Sequence, residues 1–108
     1  MILYGLPTCA TCNKARKALA DAGKDVEFRD VRAEPLSEAE LAELIVEFGD
    51  RLVDRTSNDW RGLSDWLKHS EAEAQIAAKP VLMTRPVIRA GEVLHLGWND
   101  QVERAVTG

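Results

Sequence analysis

Apolar and polar residues follow three different patterns along the first part of the chain. Residues 1–4 form a short apolar run, which is typical of a buried strand. Residues 25–31 alternate with period two, which also predicts a strand. Residues 9–22 between them read as a helix, and Gly23 suits the left-handed position that follows a helix end. A strand, a helix and a second strand in this order predict a parallel pair of strands.

The middle of the chain is patterned as helix. An apolar stripe with the spacing i, i+3, i+4, i+7 runs from Leu41 to Phe48 and predicts an amphipathic helix. Ser37 and Glu40 form a capping box ahead of it, and Gly49 is the expected end.

Further helices are predicted before the last third of the chain. Residues 60–67 place tryptophan and leucine at helical spacing, which predicts another short helix. Ser70 and Glu73 form a second capping box, and that helix should stop near Pro80.

The end of the chain returns to strands. Residues 87–89 and 93–96 flank a turn that contains Gly91, which predicts a hairpin. Asn99 is the expected cap of a last short helix that reaches Val106. The order is therefore β-α-β, a block of helices and β-β-α, which is an α/β, thioredoxin-like plan with a helical insertion.

The composition limits the class of protein. A chain of 108 residues predicts one domain over 1–108. No apolar run approaches the ~18 residues that a membrane span needs, and a net charge of −4 argues against nonspecific nucleic-acid binding. We therefore expect neither a membrane nor a nucleic acid as a direct partner. Because the chain opens without a cationic, long apolar secretory segment, we expect a reducing compartment, the cytoplasm.

The pair Cys9 and Cys12 is a C-x-x-C at the junction of the first predicted strand and helix. This placement is typical of redox chemistry. The positive end of a helix can lower the pKa of a cysteine from ~8.5 to roughly 3.5–7.5. A spacing of three residues puts the two side chains on neighbouring positions of one turn. We therefore expect Cys9 to be the more reactive thiol and the pair to form a reversible disulfide.

Other interpretations of the pair stay open. A zinc site takes four ligands, and His69 and His95 are far away and not at finger spacing, so we expect no metal. A structural disulfide and two inert buried thiols are the remaining alternatives. Asn13, which follows the pair, either donates to the thiolate or simply occupies the first helical turn.

Longer segments resemble the ArsC/Spx-like family, which contains glutaredoxin-coupled arsenate reductases, redox-sensing Spx regulators and a branch of small thiol reductases. The segments that carry the resemblance are residues 4–9, 14–16, 55–56, 60–61, 82–86 and 94–98. They span nearly the whole chain in the family's order. The Leu-Gly-Trp ending is most similar to the thiol-reductase branch. The resemblance implies the same thioredoxin-like fold.

Carried over residue by residue, the resemblance implies Cys9 as the nucleophile and Cys12 as a possible resolving thiol. Arsenate reductases have serine at the second position, whereas the Spx branch has cysteine. Arsenate reductases also place three arginines around their oxyanion. Two have counterparts here, Arg55 and Arg85, and the third falls at Gly97. A guanidinium suits an oxyanion and would also stabilise a thiolate.

The resemblance further implies that Pro86 is the proline that lies in the cis form beside the thiol. It predicts a cytoplasmic thiol-dependent reductase with no bound cofactor, with glutathione or glutaredoxin as electron donor and an anionic or disulfide substrate. The missing third arginine disfavours arsenate as that substrate. The alternatives are an Spx-like redox-sensing regulator that binds RNA polymerase, and a true arsenate reductase.

Overall fold

The two ends of the chain form one four-stranded sheet in the computed structural model, which describes residues 1–108. The strands are β1 (Ile2–Gly5), β2 (Glu27–Asp30), β3 (Val87–Ala90) and β4 (Val93–Leu96), in the spatial order β2-β1-β3-β4. β1 pairs with β2 in parallel and with β3 antiparallel, and β3 and β4 form the hairpin. The predicted parallel pair and the predicted hairpin are both confirmed.

The chain divides into two compact units. The sheet unit comprises Met1–Glu34 and Arg85–Gly108, and the helical unit comprises Pro35–Thr84. The helical unit is thus the insertion that the order of elements predicts. The assignment of 1–108 as one domain stays a prediction.

The core of the sheet unit lies between the sheet and two helices, α1 (Ala10–Asp21) and α6 (Asp100–Thr107). Its buried members come from strand, first helix and last helix alike: Leu3, Cys12, Ala15, Leu19, Ile88, Val102 and Val106. Side chains alternate between the two faces of a strand, so Leu3 and position 5 share the face that carries α1. One of the two cysteines is therefore part of this core.

The end of α1 and the beginning of α6 agree with the sequence predictions. Gly23 follows α1 with a φ of +75°, as predicted for the position after a helix end. Asn99 caps α6 because its Oδ1 accepts a hydrogen bond of 2.9 Å from the Val102 N–H.

The helical unit contains α2 (Glu38–Phe48), α3 (Asn58–Arg61), α4 (Asp65–Lys68) and α5 (Ala72–Ala78). Two 3₁₀ helices, Gly49–Leu52 and Pro80–Leu82, follow α2 and α5. The predicted capping box of α2 is confirmed: Ser37 Oγ accepts from the Glu40 N–H, and Glu40 Oε1 accepts from the Ser37 N–H.

Two helix predictions in this unit are wrong. Residues 60–67 do not form one helix, because Ser64 Oγ accepts from the Leu67 N–H and begins a separate turn after α3 has ended at Gly62. Apolar spacing alone cannot separate two single turns from one longer helix.

The second capping box also does not form, and α5 begins after Glu71 without a side-chain cap. Ser70 Oγ instead donates to the Trp66 carbonyl. The fully buried Gln75 supports this region, since its Nε2 donates to the carbonyls of Leu67, Lys68 and Ser70 at the end of α4. None of the helices in either unit has the length and apolar character needed to cross a membrane.

Candidate active site around Cys9

Cys9 is the N-cap residue of α1, at the end of the loop that leaves β1. The Cys9 N–H donates to the Leu6 carbonyl at 3.2 Å, and the Cys9 carbonyl accepts from the Asn13 N–H at 3.0 Å. The side-chain amide of Asn13 donates to the Pro7 carbonyl at 3.0 Å. Asn13 thus lies near the start of α1 and its side chain holds the loop ahead of Cys9, a contact that neither of the two expected roles included.

The surroundings of the Cys9 sulfur favour its ionised form. Partial burial by itself raises the pKa of this thiol, but several donors outweigh that effect. The Cys12 N–H and the Cys12 thiol donate hydrogen bonds to the Cys9 sulfur, and the Arg85 guanidinium adds a hydrogen bond and its positive charge. The net result is a pKa below the ordinary value of 9.0. Cys9 is half-buried and carries a free thiol.

Cys12 has the opposite character. Its side chain is completely buried, and burial is the main reason why its pKa is raised to about 12. A hydrogen bond from the Leu6 backbone lowers this pKa, the hydrogen bond to Cys9 and the negative charge of a Cys9 thiolate raise it, and the charge of Arg85 lowers it slightly. Cys9 is therefore the more acidic thiol of the pair, and Cys12 is the thiol that donates a hydrogen bond to it.

Arg85 and Pro86 reach this site from the start of β3. The Arg85–Pro86 peptide bond is cis, in agreement with what the resemblance implies for Pro86. Pro86 is buried, and its carbonyl accepts a hydrogen bond of 2.7 Å from the Gly97 N–H. The loop after β4 is thereby tied to the segment that carries Arg85.

Gly97 occupies a backbone conformation that excludes most side chains. Its φ is +77°, in the left-handed region, although no atom lies within 4 Å of the place where a Cβ would be. An arginine here would be strained by the backbone and not by lack of room. The backbone conformation at position 97 therefore favours the glycine found there over an arginine.

Arg55 belongs to the helical unit. Its guanidinium lies 3.8 Å from a carboxylate oxygen of Asp50 and 5.3 Å from the centroid of the Trp60 ring. Of the five predicted site residues, the structure brings Cys9, Cys12 and Arg85 together in the sheet unit, and Pro86 follows Arg85 through the cis bond. The role of Arg55 stays a prediction.

Position 5 is the residue that the sequence reasoning missed. A Cβ on Gly5 would lie 2.5 Å from the Sγ of Cys12, so the sulfur occupies the space that a side chain would fill. A glycine at the end of a buried strand directly ahead of a C-x-x-C is the signal that could have revealed it.

A surface groove of the sheet unit lies away from this site. Its volume is about 530 Å³, and it runs along α1 past Arg16, Lys24 and Phe28 without including Cys9. The Arg16 guanidinium stacks 4.2 Å from the centroid of the Phe28 ring. No group of three or more His, Cys, Asp or Glu side chains in residues 1–108 is arranged to hold a metal ion.

Residues 4–106 match the model of the ArsC family. The chain belongs to the ArsC family. An uncharacterized protein of Haemophilus influenzae is 32% identical over 108 residues, which cover 95% of each chain. The global transcriptional regulator Spx 2 of Lactococcus lactis subsp. lactis is 28% identical over 113 residues, which cover 95% of this chain and 83% of the regulator.

A solved structure extends the likeness to the whole fold. The YFFB protein superposes on this ArsC-family chain with a TM-score of 0.90 at 27% identity, covering 99% of this chain and 98% of its own. The resemblance that the motifs indicated is therefore confirmed, and with it the thioredoxin-like fold.

Proposed function

We propose that this ArsC-family chain is a thiol-dependent reductase in which Cys9 is the nucleophile and Cys12 resolves the intermediate. The observation that carries the proposal is the opposite acidity of two adjacent thiols, with the Arg85 guanidinium on the Cys9 sulfur. A thiolate, not a thiol, attacks a disulfide, so only Cys9 is prepared for the first step.

In that step the Cys9 thiolate attacks one sulfur of an oxidised substrate disulfide. A Cys9–substrate disulfide forms, and the second substrate sulfur leaves as a thiolate that takes up a proton. The negative charge on Cys9 is then gone, together with two of the causes that raise the pKa of Cys12. The first step thus makes Cys12 a better nucleophile for the second.

In the second step the Cys12 sulfur attacks the Cys9 sulfur, and the Cys12 proton passes to the departing thiolate. A Cys9–Cys12 disulfide forms and the substrate leaves reduced. Two glutathione molecules, or one glutaredoxin dithiol, then return the pair to two thiols and are themselves oxidised to a disulfide. We propose the cytoplasm as the compartment, because its thiol pool would keep the pair reduced between turnovers.

The substrate is expected to carry an anionic group near the reacting sulfur. Arg85 supports this part of the proposal, since a guanidinium binds a carboxylate or another oxyanion with two parallel hydrogen bonds. Arg55 enters the proposal on the resemblance to arsenate reductases alone. Arsenate itself is disfavoured as substrate, because Gly97 supplies no third cation.

The test is a turnover assay with a mixed glutathione disulfide, hydroxyethyl disulfide and arsenate, each with glutathione and glutaredoxin. We expect turnover of a disulfide that disappears in Cys9→Ser, and slow or absent arsenate reduction. In Cys12→Ser, intact-mass analysis should show a stable glutathione adduct on Cys9, whereas the oxidised wild-type chain should lose two hydrogens. Robust arsenate turnover would favour an arsenate reductase. Two independent glutathione adducts on the wild type would favour a monothiol mechanism.

A second candidate is an Spx-like redox-sensing regulator. The relatives named Spx favour it, because they match over nearly the whole of this chain. In that case the Cys9–Cys12 pair would be a sensor, and the partner would be the α subunit of RNA polymerase. Binding of that subunit by the oxidised but not the reduced chain, together with no disulfide turnover, would support the regulator over the reductase.

A further inference from the structure

Gly5 is the last residue of β1 and lies on the strand face that carries α1. A Cβ at this position would be 2.5 Å from the Sγ of Cys12 and 3.3 Å from the Cβ of Cys12 and the Cδ2 of Leu3. The first of these distances is far shorter than any ordinary contact between carbon and sulfur. Glycine at position 5 is therefore what makes room for the Cys12 sulfur.

The backbone does not require this glycine. Positive φ angles occur at Gly23, Gly49, Gly91 and Gly97, but not at Gly5. Other residue types can adopt the strand conformation that Gly5 has, and most of them are better strand formers. The requirement comes from the sulfur that packs against position 5.

The Cys12 side chain cannot adopt another conformation without an energetic cost. Cys12 is completely buried and belongs to the same packed cluster as Leu3, Ala15 and Leu19. A cysteine has one side-chain torsion with three staggered positions, and within a helix one of them collides with the preceding turn. In a close-packed core, moving the sulfur to another position displaces its neighbours.

We propose that Gly5 is a positioning residue of the Cys9–Cys12 pair: having no side chain, it leaves the Cys12 sulfur in the place from which it donates to the Cys9 sulfur and can attack it. This inference rests on the proposed function for the attack. The hydrogen bond between the two thiols is a property of the resting site and does not depend on turnover.

The consequence is that a side chain at position 5 should act on the chemistry of Cys9 without touching it. The Cys12 thiol is one of the donors that lower the pKa of Cys9. In Gly5→Ala the sulfur of Cys12 is pushed aside, so Cys9 loses that donor and Cys12 loses its aligned path to Cys9.

The experiment compares Gly5→Ala with Gly62→Ala. A Cβ at Gly62 would lie 3.7 Å from the nearest atom, the Asn58 carbonyl oxygen, and Gly62 has a φ of −79°, so this variant controls for the change of residue type. The rate of Cys9 alkylation by iodoacetamide is measured against pH, with the modified residue identified by mass spectrometry. The rate of Cys9–Cys12 disulfide formation on addition of oxidised glutathione is measured in parallel.

In Gly5→Ala we expect the alkylation midpoint of Cys9 to rise by about half to one pH unit, the size of one lost hydrogen bond. Disulfide formation should slow by roughly tenfold to a hundredfold, and a glutathione adduct on Cys9 should accumulate. Gly62→Ala should keep the wild-type midpoint and rate. A folded Gly5→Ala with wild-type midpoint and rate would overturn the proposal.

A thermal double-mutant cycle covers the case in which Gly5→Ala does not fold. Removal of the sulfur in Gly5→Ala/Cys12→Ala should restore most of the thermal stability that Cys12→Ala alone has. If the double variant is as damaged as Gly5→Ala, the steric link between the two positions is wrong. The alkylation and thermal readouts need no substrate, so a negative reductase assay would remove the proposed function and leave this inference to be judged by itself.

Discussion

Two thiols three positions apart at the start of α1 differ in chemistry because their surroundings differ. Cys9 caps the helix, is half-buried and receives hydrogen bonds from Cys12 and Arg85. Cys12 points into the core, where no water reaches a charge. An ionised Cys12 beside an ionised Cys9 would combine burial with like-charge repulsion, so two negative charges on the pair are disfavoured.

The first prediction concerns Arg85. Arg85→Lys keeps a positive charge but loses the planar fork of donors. Cys9 should therefore lose its aligned hydrogen bond, and the anionic group of the substrate should lose its bidentate partner. We expect KM to rise by roughly tenfold to a hundredfold, the equivalent of one charge-assisted hydrogen bond. The alkylation midpoint of Cys9 should rise toward the ordinary value of a cysteine. Steady-state kinetics and alkylation rate against pH measure the two effects.

Arg104→Lys is the matched control, because Arg104 lies on α6 and donates only to the Asp100 carbonyl of its own helix. It should leave both values unchanged.

A separate test concerns the assignment of the two thiols. If low-pH alkylation survives in Cys9→Ser and disappears in Cys12→Ser, the two thiols have been assigned the wrong way round.

At the scale of the element, the beginnings of α2 and α5 show when a local capping motif decides where a helix starts. The same Ser-x-x-Glu pattern occurs twice, and it forms a capping box only at Ser37. At Ser70 the chain has just left α4, and the hydroxyl donates backward to the Trp66 carbonyl. The buried Gln75 then takes the carbonyls at the end of α4, so tertiary contacts and not the local motif decide where α5 begins.

The second prediction follows from this difference. Ser37→Ala should lower the free energy of unfolding by about 1 kcal/mol, because the Glu40 N–H loses its partner at the start of α2. Ser70→Ala should cost clearly less, since an exposed hydrogen bond to a carbonyl four residues earlier adds little to a helix. Urea unfolding of both variants at neutral pH is the measurement. Equal losses, or a larger loss in Ser70→Ala, would contradict the prediction that the Ser37 hydroxyl stabilises its helix more than the Ser70 hydroxyl does.

At the scale of the whole molecule, the sheet joins residues from the two ends of the chain. β1 and β3 are neighbours, so Arg85 and Pro86 at the start of β3 come beside the residues that follow β1. Gly97 then ties the end of β4 to Pro86. The site therefore exists only when the sheet is formed, and its titration is coupled to folding.

The third prediction uses that coupling at alkaline pH. The pKa of Cys12 is about 12 in the folded chain and near 9.0 when unfolded, so between these values the unfolded chain has lost a proton that the folded chain keeps. The unfolded state then binds fewer protons, and the free energy of unfolding falls as the pH rises, by at most about 1.4 kcal/mol per pH unit from this group. Cys9 has the opposite sign and acts below 9.0, where a lowered pKa adds stability as the pH rises.

Urea unfolding of the wild type and of Cys12→Ala under reducing conditions, at several pH values from 8 to about 11, tests this. The stability advantage of the wild type over Cys12→Ala should shrink steadily above pH 9. If the free energies of unfolding of the two chains change with pH in parallel, the prediction is wrong, because Cys12 then has the same pKa in the folded and the unfolded chain.

The sequence by itself determined what depends on neighbouring residues: the periods of strands and helices, the cap at Ser37, the glycine after α1 and the place of Cys9 at a helix start. Such features arise from backbone geometry and hydrogen bonds over a few residues, which local sequence encodes. Only the tertiary structure decided that Cys12 is buried, that Arg85 reaches the Cys9 sulfur and that Gly5 leaves room for the Cys12 sulfur. These depend on which strand faces which helix, and acidity and steric fit are properties of that packing, since they follow from burial and from the distances between atoms far apart in sequence.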